Sequence, residues 1–405
     1  METRFDIVIA GGGLNGSTLA IALASAGFTV AMVDPAPGTA DDSGDFDGRS
    51  YALSLASVRM LKALGVWGAV AGTAQPILDI KVSDGRAGEG PSPFVLEFSH
   101  HEIEEGPMGH MAEDRHLRPA LAAALDGVTL FRGRKVVAQE AGDDGVAVTL
   151  DDGTGLSAAL LVGCDGRHSA TAERAGIRHT GWDYGQSALV AALSHEKPHD
   201  GIAHQFFMPE GPLAILPLTG NRSSIVWTER TENARRINGL DDEGYLALLR
   251  PRFGDFLGGI ALAGKRHTYP LALSLATRFV APRIALCGDA AHAVHPIAGQ
   301  GLNAGLKDIA ALAEVLGEAR RRGEDIGRID VLERYQRWRR FDATALAVVT
   351  DGFNRLFSND NPLLRGLRDL GMGAVNAMPG LRRGFIREAA GLTGDVPKLL
   401  QGRPL

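Results

Sequence analysis

Cysteine is almost missing from this 405-residue chain: only Cys164 and Cys287 occur, and neither stands with histidines at a zinc-like spacing. Such scarcity excludes a disulfide scaffold and a cysteine-ligated metal, and it fits a reducing compartment. No apolar run reaches the 18 residues of a membrane-spanning helix. The stretch 5–33 comes nearest. Gly11, Gly12, Gly13, Asn15 and Gly16 break it and no charged segment precedes it, so a secretory signal is not expected either. No nucleophile triad, metal cluster, internal repeat or low-complexity segment stands out, and no nucleic-acid partner is expected.

What the chain has in quantity is glycine, 52 residues, which suits tight α/β turns but makes any single glycine motif a weak signal. A hydrophobic share of 45% and a charged share of 22% are those of a soluble globular protein. The length allows two packed domains that need no covalent staple. Charge is uneven. Residues 320–405 hold 15 Arg and 1 Lys against 10 Asp or Glu, a positive surplus within a chain whose net charge is −6. That basic tail is either a solvated helical surface or a face for anionic lipid or an acidic partner.

Residues 5–10, FDIVIA, read as a buried parallel strand, GGGLNG and STLAIALASAG as a turn and helix, and FTVAMVD (28–34) as a second strand. This βαβ unit opens a Rossmann-like domain. A helix is expected from about Ser50, and another from Arg115 to about Leu125 with Asp114 as its N-cap. Residues 77–110 and 180–275 read as strands, with one helix near 241–253; 159–166 and 283–292 return to buried strands. Helices are expected over 301–322 and 328–390. The fold class is therefore α/β. Segments 1–76, 111–178 and 279–327 form the nucleotide domain, 77–110 and 179–278 a mostly antiparallel β-sheet substrate domain, and 328–405 a helical C-terminal region.

Gly11-x-Gly13-x-x-Gly16 lies between strand and helix. Gly11 permits the turn, Gly13 lets backbone approach a pyrophosphate, and Gly16 allows close helix–strand packing over amide donors at the helix start. Asp34, 18 residues after Gly16, can accept from ribose hydroxyls. This much indicates a dinucleotide without choosing which. The segment CGDAAH (287–292) followed by HPIAGQGLN (295–303) makes the choice. Asp289 at a strand end can bind the ribitol or pyrophosphate side of FAD, and the glycine-rich stretch opens a helix whose amides favour negative charge on a reduced flavin.

Three fingerprints in order, GGGLNG, VGCDGRHS and LCGDAAH, resemble the group A flavoprotein aromatic hydroxylases typified by p-hydroxybenzoate hydroxylase. HPIAGQGLN, DGRSYALSLAS near residue 50, and the C-terminal NRLFSNDNPLLRGLRDLG and REAAGLTGDVPKLLQG are similar to the ubiquinone-biosynthesis hydroxylases of the UbiH type. The resemblance implies a p-hydroxybenzoate hydroxylase-like fold. Gly11, Gly13, Gly16 and Asp34 would hold the ADP half of FAD, and Arg49 and Arg115 would contact the cofactor. Asp165 and Asp289 would serve the DG and GD motifs, and Gly299, Gly301, Leu302 and Asn303 would line the pyrimidine edge of the ring. The family's DG motif continues to an arginine three residues after its serine. Here Ala172 stands at that position and Arg174 is displaced by two, which bears on how nicotinamide binds. Absence of a second GxGxxG fits NAD(P)H as a transient reductant. Cys164 and Cys287 read as buried structural thiols.

The resemblance further implies an FAD-dependent monooxygenase acting through a flavin C4a-hydroperoxide, with O2 and a lipid-tailed, polyprenylated phenol as substrates. His295 and Gln300 would be polar groups beside the reacting centre and Pro296 would shape the turn there, with no metal required. Cytoplasmic localisation is expected. The basic C-terminal helices would serve as a peripheral membrane face or a contact with sister enzymes. Two alternatives stand beside this: a flavin hydroxylase of a small soluble phenol, and an FAD-retaining structural member of a quinone-synthesis complex.

Overall fold

The computed structural model describes residues 3–37, 46–88, 90–103, 105–295, 299–357 and 378–405. Strand Thr3–Ala10 is covered on both faces: Ile7, Val8 and Ile9 are fully buried, which is why the run is apolar without alternation. It lies at the centre of a parallel array ordered Ile284–Leu286, Gly155–Gly163, Thr3–Ala10, Val30–Asp34, Val128–Arg132. The short strand Val280–Ala281 closes one edge antiparallel, and the arms Val136–Ala141 and Val146–Leu150 attach to Gly155–Gly163. Strands drawn from the beginning, middle and later part of the chain thus lie side by side. Their carboxyl ends carry the GGGLNG, CDG and CGD segments together, the place where open α/β sheets bind ligands.

Helix Leu14–Ser25 packs between this sheet and helix Gln300–Arg321. Its buried side runs through Gly16, Ala20, Leu19 and Leu23, small and apolar residues that let three layers approach. A Cβ on Gly16 would lie 1.8 Å from the Gly11 carbonyl oxygen, so only glycine allows the helix to start where it does.

The second sheet has nine strands in the order His292–Ala293, His267–Ala276, His179–His195, Arg222–Arg230, Gly211–Leu218, Ile202–Met208, Asp79–Arg86, Gly90–Ser99, with Ile260–Leu262 paired to His179–His195. All neighbours are antiparallel except Ile202–Met208 on Asp79–Arg86. Its outer face packs on helices Thr231–Asn238 and Asp242–Phe253 around Trp227 and Tyr245. The first of these helices was not expected from the sequence.

Two local expectations are corrected. The helix expected from Ser50 begins at Leu55, because Ser54 caps it through Ser57 N; Ser50–Ser54 is instead a strand paired with Gly109–Glu113. The helix expected after an Asp114 cap already includes Asp114, with Glu113 in the cap position and no side-chain cap bond. The C-terminal region carries helices Ile329–Phe357 and Pro379–Ala389.

Candidate active site

The site is built where the first glycine turn, the CGD turn and the start of helix Gln300–Arg321 converge. Gly11 takes φ of +103°, and a Cβ there would lie 2.3 Å from the Cys164 carbonyl oxygen, so the first and middle fingerprints touch backbone to backbone. Gly12 N–H donates to Asp34 Oδ2 and Ala36 N–H to Asp34 Oδ1, at 2.5 and 2.7 Å, which holds the carboxylate at the lip of the turn. Around Gly13 the situation reverses: a Cβ would meet nothing within 4 Å, and the space before it is cavity.

The CGD turn, Gly288–Ala290, is held by a buried carboxylate that sequence reasoning missed. Asp308, fully buried, accepts from Gly288 N–H at 3.0 Å, His292 Nε2 at 2.6 Å and Arg339 Nε at 2.9 Å. Burial pushes the Asp308 carboxyl up, but His292 and Arg339 outweigh it and bring it below the ordinary carboxylate value. A signal for it existed. Asp308 follows Ala304 by four and precedes Ala311 and Leu312, so it is a charge on the buried stripe of its helix. Asp289 itself faces the cavity, accessible from it yet surrounded by protein. Burial pushes its carboxyl up, with His292 and Arg167 opposing.

Asn303 does not line the cavity; it fastens the wall. Its Oδ1 accepts from Ser54 N–H at 2.9 Å and Ser57 Oγ at 2.7 Å, while Nδ2 donates to Ala52 O at 2.8 Å and Gly299 O at 3.1 Å. All the hydrogen-bonding directions of one amide are thereby used. The result sets strand Ser50–Ser54 against the start of helix Gln300–Arg321, where Gly299 (φ +64°), Gln300, Gly301 and Leu302 line the cavity.

Arg49 lies on the cavity wall, paired with Asp47 at 2.6 Å and Asp114 at 3.1 Å. Arg115 does not. Its Nε donates to buried Glu113 at 2.7 Å, and Glu113 also accepts from Arg222 at 2.7 Å, so Arg115 belongs to a tie between strand Gly109–Glu113 and strand Arg222–Arg230. One turn further, Arg118 pairs with Asp114 and lines the cavity in its place. Asp165 is turned inward, accepting from Ser169 Oγ, Thr171 N–H and Thr171 Oγ1 at the start of helix Ala170–Arg174; Cys164, Gly166 and Arg167 form the wall there.

Gln300 is on the wall, and Pro296 lies outside the described residues. His295 is buried away from the cavity, edge-on to Tyr184 with ring centroids 5.3 Å apart, and neither ring nitrogen has a hydrogen-bond partner among the described residues. Burial pushes its imidazole down to about 4, with Asp351 opposing. Cys287 is fully buried near the Tyr335 hydroxyl, and burial pushes its thiol up.

These groups open on one continuous cavity of about 1510 Å³. It runs from Gly13, Asn15 and Arg49, past Asp289 and Gly299–Leu302, to an apolar floor on the nine-stranded sheet and onward between the C-terminal helices. FAD fits its nucleotide end. The gap before Gly13 admits a phosphate, and Asn15, also on the wall, has an Oδ1 with no hydrogen-bond partner among the described residues, an acceptor suited to a ribitol hydroxyl. Gly288 and Gly305 leave the room that Asn15 occupies, since a Cβ on either would approach its Nδ2 within 2.2 and 2.5 Å.

The His295 environment sets a pH dependence. An imidazole at about 6.5 in the unfolded chain and about 4 in the fold takes up protons first on unfolding, so stability falls as pH drops from 6.5 towards 4. His110 and His204, also pushed to about 4 by burial, act in the same direction. His295→Leu is expected to flatten the stability–pH curve across that window while leaving the slope contributed by the other two. Urea unfolding at a series of pH values measures it; an unchanged curve would contradict the assignment.

Comparison with known proteins agrees with this geometry. The family described as "FAD binding domain" matches residues 4–349. The chain is 44% identical to ubiquinone hydroxylase UbiL of Rhodospirillum rubrum, over 99% of this chain and 93% of that one. It is 36% identical to the 3-demethoxyubiquinol 3-hydroxylase of Escherichia coli, over 96% and 98% of the two chains. Among solved structures, p-nitrophenol 4-monooxygenase PnpA from Pseudomonas putida superposes with a TM-score of 0.80 at 20% identity, covering 98% of this chain and 100% of that one, a likeness of fold. With its nucleotide cradle, its parallel sheet beside a nine-stranded sheet, and these relatives, the chain belongs to the FAD-dependent monooxygenase family of the ubiquinone-biosynthesis hydroxylases.

Proposed function

We propose that this protein hydroxylates the aromatic ring of a polyprenylated phenol in ubiquinone biosynthesis. The observation that carries this reading is the single cavity joining the FAD cradle to an apolar sheet floor and then to an apolar mouth. The cavity of about 1510 Å³ takes FAD at its glycine-turn end, and beyond that its lining turns aliphatic along the sheet floor and aromatic at Phe341, Phe353 and Phe385, a length of apolar wall suited to a lipid tail on the ring. Bound FAD supplies the oxygen-activating redox chemistry, with NAD(P)H as the reductant.

The chain's own residues do the rest. Backbone amides at the start of helix Gln300–Arg321 favour negative charge at the flavin's edge, helped by the 22-residue helix behind them. Asp289 and Asn15 accept from ribitol hydroxyls, the backbone at Gly13 approaches the phosphates, and Arg49 and Arg118 hold the outer edge, with Arg118 taking the role expected of Arg115. His295, buried behind the wall, packs against Tyr184 rather than touching substrate. Apolar side chains of the floor keep water from the reacting centre.

At the mouth, Phe341, Val349, Phe353, Leu356 and Phe385 line the cavity and are also exposed, Phe341 at 78%. Arg337, Arg340, Arg383 and Arg387 lie exposed on the same helices. Among the described residues no helix is long and apolar enough to cross a membrane. An apolar opening on helices that also carry exposed arginines suits peripheral docking on an anionic lipid surface, from which a lipid-tailed phenol enters without crossing water.

Three outcomes are expected. A deletion strain accumulates a prenylated precursor lacking one ring hydroxyl, seen by mass spectrometry of extracted lipid, and wild type but not Asp289→Ala restores the quinone; an unchanged quinone profile sinks the reading. Arg118→Ala weakens FAD binding about tenfold or more, the loss of one charge-assisted hydrogen bond, while Arg115→Ala chiefly lowers thermal stability. Fluorescence titration of apoprotein with FAD decides between them. Arg340→Glu with Arg383→Glu reduces sedimentation with phosphatidylglycerol vesicles several-fold at low salt; wild type that fails to sediment at all would remove the docking proposal.

A further inference from the structure

Across the nine-stranded sheet, one register row runs Leu96, Val82, Gln205, Ala214, Val226, Val190, each residue paired to the next on six neighbouring strands. All six line the cavity. Five are aliphatic, and Gln205 in the middle is the only polar member. Side chains alternate along a strand, so Gln205 shares its face with Ala203 and Phe207, which also line the cavity. Phe206 packs on the opposite face against Phe256; His204 lies 4.5 Å from that same ring between centroids and also reaches the cavity lining.

Gln205 is half-buried, and its Nε2 is buried with no hydrogen-bond partner among the described residues. A buried amide donor left unpaired is unfavourable, and native structures rarely keep one unless a ligand completes it. A methionine or leucine would fill this position in the row without that cost. The Nε2 and Oε1 ends exchange by rotation of the amide, so either end can turn to the cavity. A phenolic hydroxyl serves both: it accepts from Nε2–H or donates to Oε1.

We propose that Gln205 orients the substrate ring by hydrogen bonding its phenolic hydroxyl, and so selects which ring carbon is presented for hydroxylation. The inference rests on the reading of the cavity as a phenol site. An apolar ring on an apolar floor can rotate among several poses of similar energy. One polar anchor removes that freedom, and an analogue without the hydroxyl leaves the anchor unpaired.

The test uses FAD-loaded enzyme with a phenol carrying a short prenyl tail and the matching arene without the hydroxyl. Binding is read from the change in flavin absorbance, and coupling from hydroxylated product formed per NAD(P)H consumed, the remainder appearing as hydrogen peroxide. Gln205→Met, nearly the same shape, is expected to keep bound FAD, to bind the phenol about tenfold more weakly, and to lose coupling. Its affinity for the hydroxyl-free analogue should stay unchanged. Gln205→Glu, which can still accept from the hydroxyl, should fall between the two. Wild type and Gln205→Met preferring the phenol over the analogue by the same factor, with equal coupling, would overturn the proposal. Should wild type bind small phenols and no prenylated ones, the functional reading fails. The same comparison on a small phenol then decides for Gln205: loss of preference in the Met variant supports the anchor, and equal preference overturns it.

Discussion

A single carboxylate without access to water holds the catalytic half of this molecule together. Asp308 lies inside the protein with three donors on it: the amide of Gly288, the imidazole of His292 and the guanidinium of Arg339. Each comes from a different element. Removing any one would leave charge or lone pairs without compensation in a medium where that costs several kcal/mol, typically ~3–5 when one partner of a buried pair is lost. The turn bearing Asp289 is therefore tied to the C-terminal helix Ile329–Phe357 through one residue, and that helix also forms the mouth of the cavity. Nucleotide end and lipid end are mechanically connected.

Asn303 does for the opposite wall what Asp308 does for the turn, but without charge. Its amide spans backbone of Ala52, Ser54 and Gly299. A neutral amide suits a position at the start of helix Gln300–Arg321, where a fixed charge would alter the field that the helix start provides. The two anchors also explain why helix Gln300–Arg321 carries polar residues on its buried side. They are spent on positioning, while Gly299, Gln300 and Gly301 present backbone to the cavity.

The cavity joins three kinds of surface in a fixed order: polar backbone at the glycine turns, an aliphatic sheet face, and exposed aromatic and aliphatic side chains on the last helices. FAD takes the first of these, and the other two match in order the ring and the greasy tail of an isoprenoid phenol. The arginines near the mouth add a charge pattern that the composition of the tail foreshadowed.

Much of this architecture is legible in the amino-acid sequence. Contiguous apolar runs ended by GGGLNG, CDG and CGD identify strands and the turns that follow them, since a parallel strand buried on both faces leaves no room for alternation. The roles of Gly11 and Gly16 follow from the same reading, because close backbone approach demands glycine wherever it occurs. Local chemistry settled less than expected at Ser50–Ser54, where pairing with Gly109–Glu113 and capping by Ser54 outcompeted helix. Which arginine faces the cavity depended on a rotation of one helical turn between Arg115 and Arg118, fixed by Glu113 reaching across to Arg222 on strand Arg222–Arg230. Likewise His295 and Asp165 carry recognisable motif positions, yet packing turns both away from the cavity wall. The chain order by itself determined the central strands, the glycine turns and the cofactor class, because these depend on neighbours a few residues apart. Only the tertiary structure decided which polar side chains face the cavity: Asn303, Arg115 and His295 are set by partners far along the chain, while Asp165 is turned inward by Ser169 and Thr171 close by.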